Sequence, residues 1–144
     1  MMYKDYHYRA TGNRRWKYEL LRNVEIEITQ DVQQWMDAAF KSRLFSVHIQ
    51  FKTGEAPRVF ITAYAGYAWD GFTCWRDIER ALIASLMHDV ARQAIDEGLM
   101  KPDMLPVSDR LFLKLLWRCS IPSWRAKLMY YAVVAFRKVK GWVK

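Results

Sequence analysis

The sequence of 144 residues is poor in several features that mark particular classes of protein. It has two cysteines, Cys74 and Cys119, and neither has a second cysteine or a histidine at metal-ligand spacing. We therefore expect neither a disulfide framework nor a zinc knuckle, and a reducing compartment fits the composition. No segment repeats, and no linker rich in Gly, Ser or Pro divides the chain. These absences favour a single domain over residues 1–144, with an ordered core of about 14–140.

Long apolar segments are also missing. The first residues, Met1–Ala10, are polar and aromatic, without the apolar stretch of a secretory signal peptide. The longest apolar run, Leu128–Phe136, is much shorter than the roughly 20 residues that a spanning helix needs. The sequence therefore predicts a soluble protein of the cytosolic type, with no transmembrane segment.

Acidic residues are absent from the end of the chain. All 15 of them lie within residues 1–109, whereas nine of the 23 Lys and Arg residues follow Asp109, so the net charge of +8 arises entirely from the C-terminal segment. Such asymmetry is typical of surfaces that meet nucleic acid, anionic lipid or an acidic partner. A solvated basic helix is the more common explanation.

What the chain does contain is apolar and aromatic, at 52% hydrophobic and 15% aromatic residues, which is enough for one dense core. The N-terminal half has the alternation of strands over Trp16–Ile28 and Phe45–Phe51, and Val59–Tyr67 is rich in β-branched and aromatic residues. A turn at Thr53-Gly54 predicts a hairpin between the last two. The segment Asp31–Lys41 instead predicts a short helix over one face of the sheet, with an apolar stripe of Val32, Trp35, Met36 and Ala39.

The pattern becomes helical after residue 72. Gly98 is a plausible C-terminal stop for the first helix, and Ser108 a plausible N-cap for the second, with Asp109 in its first turn, where the helix dipole favours an anion. The three predicted helices are Arg76–Glu97, Asp109–Cys119 and Ser123 to about Lys140, with Pro102 and Pro106 in a loop before the second. The fold class is then α+β, a small antiparallel N-terminal sheet packed against about three C-terminal helices.

Two polar residues interrupt the most apolar helix. The segment Ala81–Ala91 is apolar on almost every face except at His88 and Asp89. An ionised carboxylate that is buried without partners costs several kcal/mol or more, so Asp89 needs a cation, hydrogen bonds or a metal ion. Arg92 lies three residues further along the helix and is one such cation.

Two further carboxylates come from neighbouring segments. Asp70 precedes Gly71 in a tight turn just ahead of the long helix, and Asp109 opens the next helix. Carboxylate oxygens with one imidazole suit a divalent metal ion and its activated water, or acid–base catalysis by His88 without metal. The candidate catalytic and metal-binding set is therefore Asp70, His88, Asp89 and Asp109. A purely structural network remains the alternative.

Four motifs in this order carry a resemblance to a known family: GYAWDGF at 66–72, LMHD at 86–89, SDRLF at 108–112 and IPSWRAKLMYYAV at 121–133. They resemble the family catalogued as domain of unknown function 1353, from tailed phages and prophages, over about residues 16–136. The resemblance implies a phage origin and a shared polar cluster at the same four residues, but it implies no reaction. It also places the protein in the cytoplasm of a host cell or in a virion.

Two functions follow from these patterns. The first is a small phage-encoded hydrolase, either metal-dependent or a His/Asp acid–base enzyme, that acts on an ester, amide or phosphoester. The second is a non-enzymatic phage accessory protein, a virion component or an inhibitor that binds a host factor, in which the His-Asp cluster is a structural network. Its partner would be a host or phage protein.

The last helix combines apolar residues at helical spacing with several cations. The apolar positions are Leu128, Tyr131, Ala132 and Ala135, and the cations are Arg125, Lys127, Arg137, Lys138 and Lys140. Such a basic amphipathic helix, with Trp142 at its end, suits an anionic membrane or nucleic acid, whereas core packing of the apolar face is more common. Nucleic acid is not favoured, because no recognised binding motif accompanies the charge.

Overall fold

The structure, a computed structural model, describes residues 8–12, 18–69 and 81–143, with side chains up to residue 135. Within these residues, the N-terminal half forms two small antiparallel sheets and the C-terminal half forms three helices. The predicted α+β class is confirmed. The prediction of one sheet is wrong, because the strands divide between two.

The strands are β1 (Tyr8–Ala10), β2 (Tyr18–Leu20), β3 (Val24–Ile28), β4 (Phe40–Lys41), β5 (Phe45–Gln50), β6 (Arg58–Ala63) and β7 (Ala68–Trp69). The helices are α1 (Val32–Asp37), α2 (Leu82–Asp96), α3 (Leu105–Arg118) and α4 (Ser123–Val143), and a 3-10 turn at Pro102–Met104 leads into α3. The smaller sheet has the order β1-β2-β7, and the larger has the order β3-β6-β5-β4.

The larger sheet has one apolar and one polar face, as alternation along its strands requires. Ile26, Ile61 and Val47 lie side by side across β3, β6 and β5 and are all buried. On the opposite face, Glu27 accepts two hydrogen bonds from Arg58, from Nε at 2.9 Å and from Nη2 at 2.7 Å. The apolar face of the sheet is therefore the one that meets the helices.

The prediction of one continuous strand over Trp16–Ile28 is wrong. Residues 21–23 separate β2 from β3, which belong to different sheets, and Leu21 is 51% exposed. Asn23 holds this bend by accepting a hydrogen bond at 2.8 Å from the backbone N–H of Ala65. This hydrogen bond joins the bend to the turn that follows β6.

The hairpin between β5 and β6 is confirmed, with Gly54 in the left-handed region at φ 80°. The strand predicted over Val59–Tyr67 instead ends at Ala63, because the chain turns at residues 64–67, where the N–H of Tyr67 donates to the carbonyl of Tyr64 at 3.1 Å. The residues that follow form β7 in the other sheet.

The helix predicted over Asp31–Lys41 is shorter in the structure. It covers Val32–Asp37, and Phe40–Lys41 pairs with β5 as a strand. Trp35 anchors α1 with 1% of its surface exposed, whereas Ala39, predicted for the same stripe, is exposed.

The helices form successive layers on the larger sheet. Helix α2 contacts the sheet through β6, α3 packs on α2, and α4 packs on α3. Helix α2 is consequently buried on nearly every face, as its sequence predicts. Within the described part of the chain, no helix is both long enough and apolar enough to cross a membrane.

The C-terminal end of α2 agrees with the sequence prediction. Gly98 has φ 77°, its N–H donates to the carbonyl of Ile95 at 3.1 Å, and the N–H of Leu99 donates to the carbonyl of Ala94 at 2.8 Å. This pair of bonds is a Schellman motif, which satisfies the last carbonyls of the helix. The predicted start at Arg76 falls in residues 70–80, outside the described residues.

The predicted start of the second helix is wrong. Helix α3 begins at Leu105 with Pro106 in its first turn, where a missing N–H costs no intrahelical bond. Ser108 is therefore not the N-cap, and its hydroxyl donates to the carbonyl of Leu105 at 2.8 Å. Asp109 lies beyond the first turn, so the dipole role predicted for it does not apply.

Helix α4 confirms the predicted last helix but presents a different face to the core. Ala126 and Met129 are buried against the rest of the molecule, whereas Leu128, Tyr131 and Ala135 are exposed. The apolar positions picked out in the sequence therefore lie mainly on the outer side of the helix.

Candidate functional site

Two neighbouring helices bring together two buried polar side chains of the predicted cluster. His88 lies in the middle of α2 and Asp109 in the second turn of α3. The helices pack directly on each other, and the surrounding positions of both are apolar and buried. The pair therefore lies inside the helical layer rather than at its edge.

The imidazole and the carboxylate form a short, direct contact. His88 Nε2 lies 2.9 Å from Asp109 Oδ1, which is within range of both a hydrogen bond and an ion pair. A carboxylate can only accept, so Nε2 is the donor and carries a proton. The bond fixes both the tautomer and the orientation of the ring.

Burial around this pair is nearly complete. The Asp109 side chain is 0% exposed and the His88 side chain is 10% exposed. The ring of Phe112, one turn after Asp109 on α3, lies 5.0 Å from the imidazole, centroid to centroid. A low-polarity surrounding of this kind strengthens the hydrogen bond and makes an unpaired partner expensive.

Asp89 and Arg92 lie on the more open flank of α2, and both are half-buried. The Nε of Arg92 is buried and has no hydrogen-bond partner in the described part of the structure. Arg92 follows His88 by four residues, so the two side chains lie on the same side of the helix, one turn apart. The Nε of Arg92 is thus a buried donor on the same side of α2 as His88.

The fourth predicted site residue, Asp70, lies outside the described residues. Among the residues that are described, no group of three or more His, Cys, Asp or Glu side chains has the arrangement needed to hold a metal ion. The structure thus brings His88 and Asp109 together, whereas Asp89 lies on the more open flank of α2. The metal set predicted from the sequence remains a prediction.

Other polar groups on the same helix have structural roles. Ser85 accepts a hydrogen bond from the indole of Trp69 at 3.1 Å and donates to the carbonyl of Leu82 at 2.7 Å. Gln93 accepts from the hydroxyl of Tyr67 at 3.1 Å. These bonds tie α2 to the segment around β7, which fixes the rotation of the helix and hence the direction of His88.

Comparison with known protein families, curated proteins and solved structures finds no match to this chain. The chemistry of the site is therefore argued from its geometry.

Sequence reasoning considered Arg92 as a partner for Asp89 but did not single out its unsatisfied donor, and it missed the ring of Phe112. The signal for Phe112 was its position three residues after Asp109, on the same side of α3. No sequence signal reveals an unsatisfied Nε, because that depends on which acceptors the fold brings close.

A histidine held by a buried carboxylate is suited to one kind of chemistry. The carboxylate orients the ring and stabilises its protonated form, so the imidazole can accept and return a proton. An adjacent guanidinium can stabilise negative charge that develops on an oxygen. An imidazole held by a carboxylate and a guanidinium with a buried donor are both present on α2.

Proposed function

We propose that this chain is a small phage-encoded hydrolase in which His88, oriented by Asp109, is the acid–base residue. The observation that carries the proposal is the 2.9 Å contact between the imidazole and a fully buried carboxylate. A phage origin rests on the motif resemblance alone. The substrate class is an ester, amide or phosphoester, because their hydrolysis needs a proton carrier and a stabilised oxyanion.

In the proposed reaction, His88 takes a proton from a water molecule as the oxygen of that water attacks the carbonyl carbon or phosphorus. The bond to the leaving group then breaks, and the imidazole returns the proton to the leaving oxygen or nitrogen. Asp109 is a positioning residue, since it acts through His88. This assignment requires no group beyond the described residues and water.

Arg92 supports the same proposal from a different observation. A buried donor without an acceptor costs about 1–3 kcal/mol, so a fold that retains one gains from a ligand that supplies the acceptor. A substrate carbonyl or phosphoryl oxygen beside His88 would be such an acceptor. Arg92 is therefore assigned to the oxygen that becomes negative as the reaction proceeds.

The test is hydrolysis of p-nitrophenyl esters, bis(p-nitrophenyl) phosphate and a p-nitroanilide by the purified chain. His88→Gln keeps a donor for Asp109 but cannot carry the proton, so we expect a loss of about a hundredfold or more in kcat. Asp109→Asn should lower kcat and change the pH profile, because the altered partner no longer stabilises the protonated ring. Arg92→Gln should lower kcat with little effect on folding.

His48→Gln is the matched control, because this half-buried histidine lies on the polar face of the larger sheet and stacks on Phe60 with centroids 5.5 Å apart. It should leave activity unchanged. Activity that survives His88→Gln in a folded protein, or no hydrolysis of any of these substrates, would contradict the proposal. Repeating the assay with added Mn²⁺ or Zn²⁺ tests the metal-dependent form of the same hypothesis.

A second candidate function is favoured by the same burial. Because Asp109 is fully buried and His88 nearly so, the pair also suits a structural network in a non-enzymatic accessory protein that binds through its surface. On this account, His88→Gln and Asp109→Asn change stability alone. Circular dichroism and urea unfolding on the same variants therefore separate the two candidates.

A further inference from the structure

Helix α4 carries an apolar stripe on the side that faces away from the core. Trp124 is 66% exposed, Leu128 49% and Tyr131 62%, and Ala135 is also exposed. Their spacing of four, three and four residues places these four side chains in one line along the helix. We call them the outer stripe.

The outer stripe lies opposite the buried face. At 100° per residue, Ala126 and Met129 lie about 170° and about 130° from the centre of the outer stripe, and both are 0% exposed. The helix therefore has two apolar sides, one packed on the core and one in contact with solvent. Single exposed apolar residues are ordinary on protein surfaces, but three large ones in a line are a patch.

Positive charge flanks the outer stripe. Lys127 and Arg125 fall about 60° and 100° to either side of Trp124 on the helical wheel, and Lys127 is exposed. The sequence of α4 itself has five cations, Arg125, Lys127, Arg137, Lys138 and Lys140, and no acidic residue. The helix thus combines an apolar line with positive charge in its sequence.

We propose that the outer stripe docks on an anionic lipid membrane, with α4 lying in the plane of the interface. Trp and Tyr favour the boundary between headgroups and acyl chains, Leu128 enters the apolar layer, and Lys or Arg side chains beside them reach the headgroup phosphates. This docking uses no residue of the acid–base site, so it holds whether or not the chain is a hydrolase.

The charge distribution argues against two other occupants. A second copy packed stripe to stripe would bring two cationic segments together with no acidic residue in either. Duplex nucleic acid would satisfy the cations, but its phosphates and groove edges offer little apolar surface to cover Leu128 and Trp124. An anionic bilayer satisfies both the charge and the apolar line.

The experiment is cosedimentation of the full chain with vesicles of phosphatidylcholine, and with vesicles that contain about one third phosphatidylserine. Strong binding is expected only to the anionic vesicles, and raising the salt from about 0.1 M to about 1 M should weaken it. The triple variant Trp124→Ala, Leu128→Ala and Tyr131→Ala should lose binding. These residues are exposed, so its circular dichroism should match that of the wild type.

Matched controls test whether binding depends on the apolar residues of the outer stripe or on exposed apolar residues anywhere in the chain. Leu21→Ala and Phe51→Ala remove exposed apolar residues elsewhere, at 51% and 73% exposure, and should not alter binding. Arg125→Gln with Lys127→Gln should weaken binding about twenty-fivefold, at about fivefold per cation near an anionic surface.

Three results would overturn the proposal. They are equal binding to neutral and anionic vesicles, full binding by the triple variant, and a concentration-dependent dimer in sedimentation velocity that the triple variant abolishes. Retention of the chain on DNA, lost in the triple variant and stronger than its binding to vesicles, would assign the outer stripe to nucleic acid instead.

Discussion

Removal of one partner from the His88–Asp109 pair should destabilise the protein severely. Asp109→Ala leaves the imidazole in an apolar surrounding without the carboxylate that lies 2.9 Å from it. Loss of one member of a buried ion pair typically costs about 3–5 kcal/mol. The total free energy of unfolding of a domain is about 5–15 kcal/mol, so this variant should be close to marginal.

The double variant isolates the interaction itself. Once Asp109 is replaced, His88→Ala removes a side chain that has already lost its partner, so the second substitution should cost less than it does alone. We expect the sum of the two single losses in the free energy of unfolding to exceed the loss in the double variant by about 1–3 kcal/mol. The exposed pair of His48 and Glu25, 3.5 Å apart with side chains 44% and 50% exposed, is the control and should couple by less than about 1 kcal/mol.

Urea unfolding followed by tryptophan fluorescence measures these quantities. With a slope of about 1–3 kcal/mol per M, Asp109→Ala should lower the midpoint by about 2 M. A shift below about 0.5 M, or additive effects of the two substitutions, would refute the view that this pair joins α2 to α3.

Two further outcomes are expected. Glu27→Gln should lower stability near neutral pH, because the hydrogen bond from Arg58 lowers the pKa of Glu27 below its ordinary value of 4.5. This stabilisation is present above that value and is lost as the carboxylate protonates, so the difference between the variant and the wild type should shrink as the pH falls. Thermal melts between neutral and acid pH measure this difference. Gly98→Ala should cost about 1 kcal/mol in urea unfolding because of its left-handed φ of 77°, whereas Glu97→Ala beside it should stay within about 0.5 kcal/mol.

The helices were the more predictable part of the fold, because their signals are local. Gly98 ends α2 as expected, since its left-handed conformation is a property of the residue and its neighbours. Pro106 was misleading, because proline suits both a loop and the first turn of a helix, and the sequence does not distinguish them.

The strand breaks depend on contacts between distant segments. Asn23 ends one alternating run by bonding the backbone of Ala65, 42 residues away. Periodicity does not register such a contact, and apolar alternation continues across the bend. The sequence therefore predicts strand content well and the division between two sheets poorly.

For the site, the useful signal in the sequence was the presence of polar residues within apolar helices. A histidine and a carboxylate in apolar helices need partners, and the structure joins His88 to Asp109 across α2 and α3. The outer stripe shows the limit of this reasoning. Helix α4 has apolar residues on two sides, and only the tertiary fold decides that Met129 packs inward while Leu128 faces solvent.

The alternation in the larger sheet also restricts how the chain can change length. A one-residue insertion within β6 would reverse the faces of every position on one side of it, and would turn Ile61 outward where it now lies beside Ile26. Phe60 or Thr62 would then take its place on the face that packs against the helices. Residues 51–57, the loop at the end of the hairpin, are exposed and carry no such constraint. Length variation in this sheet should therefore be confined to the loop.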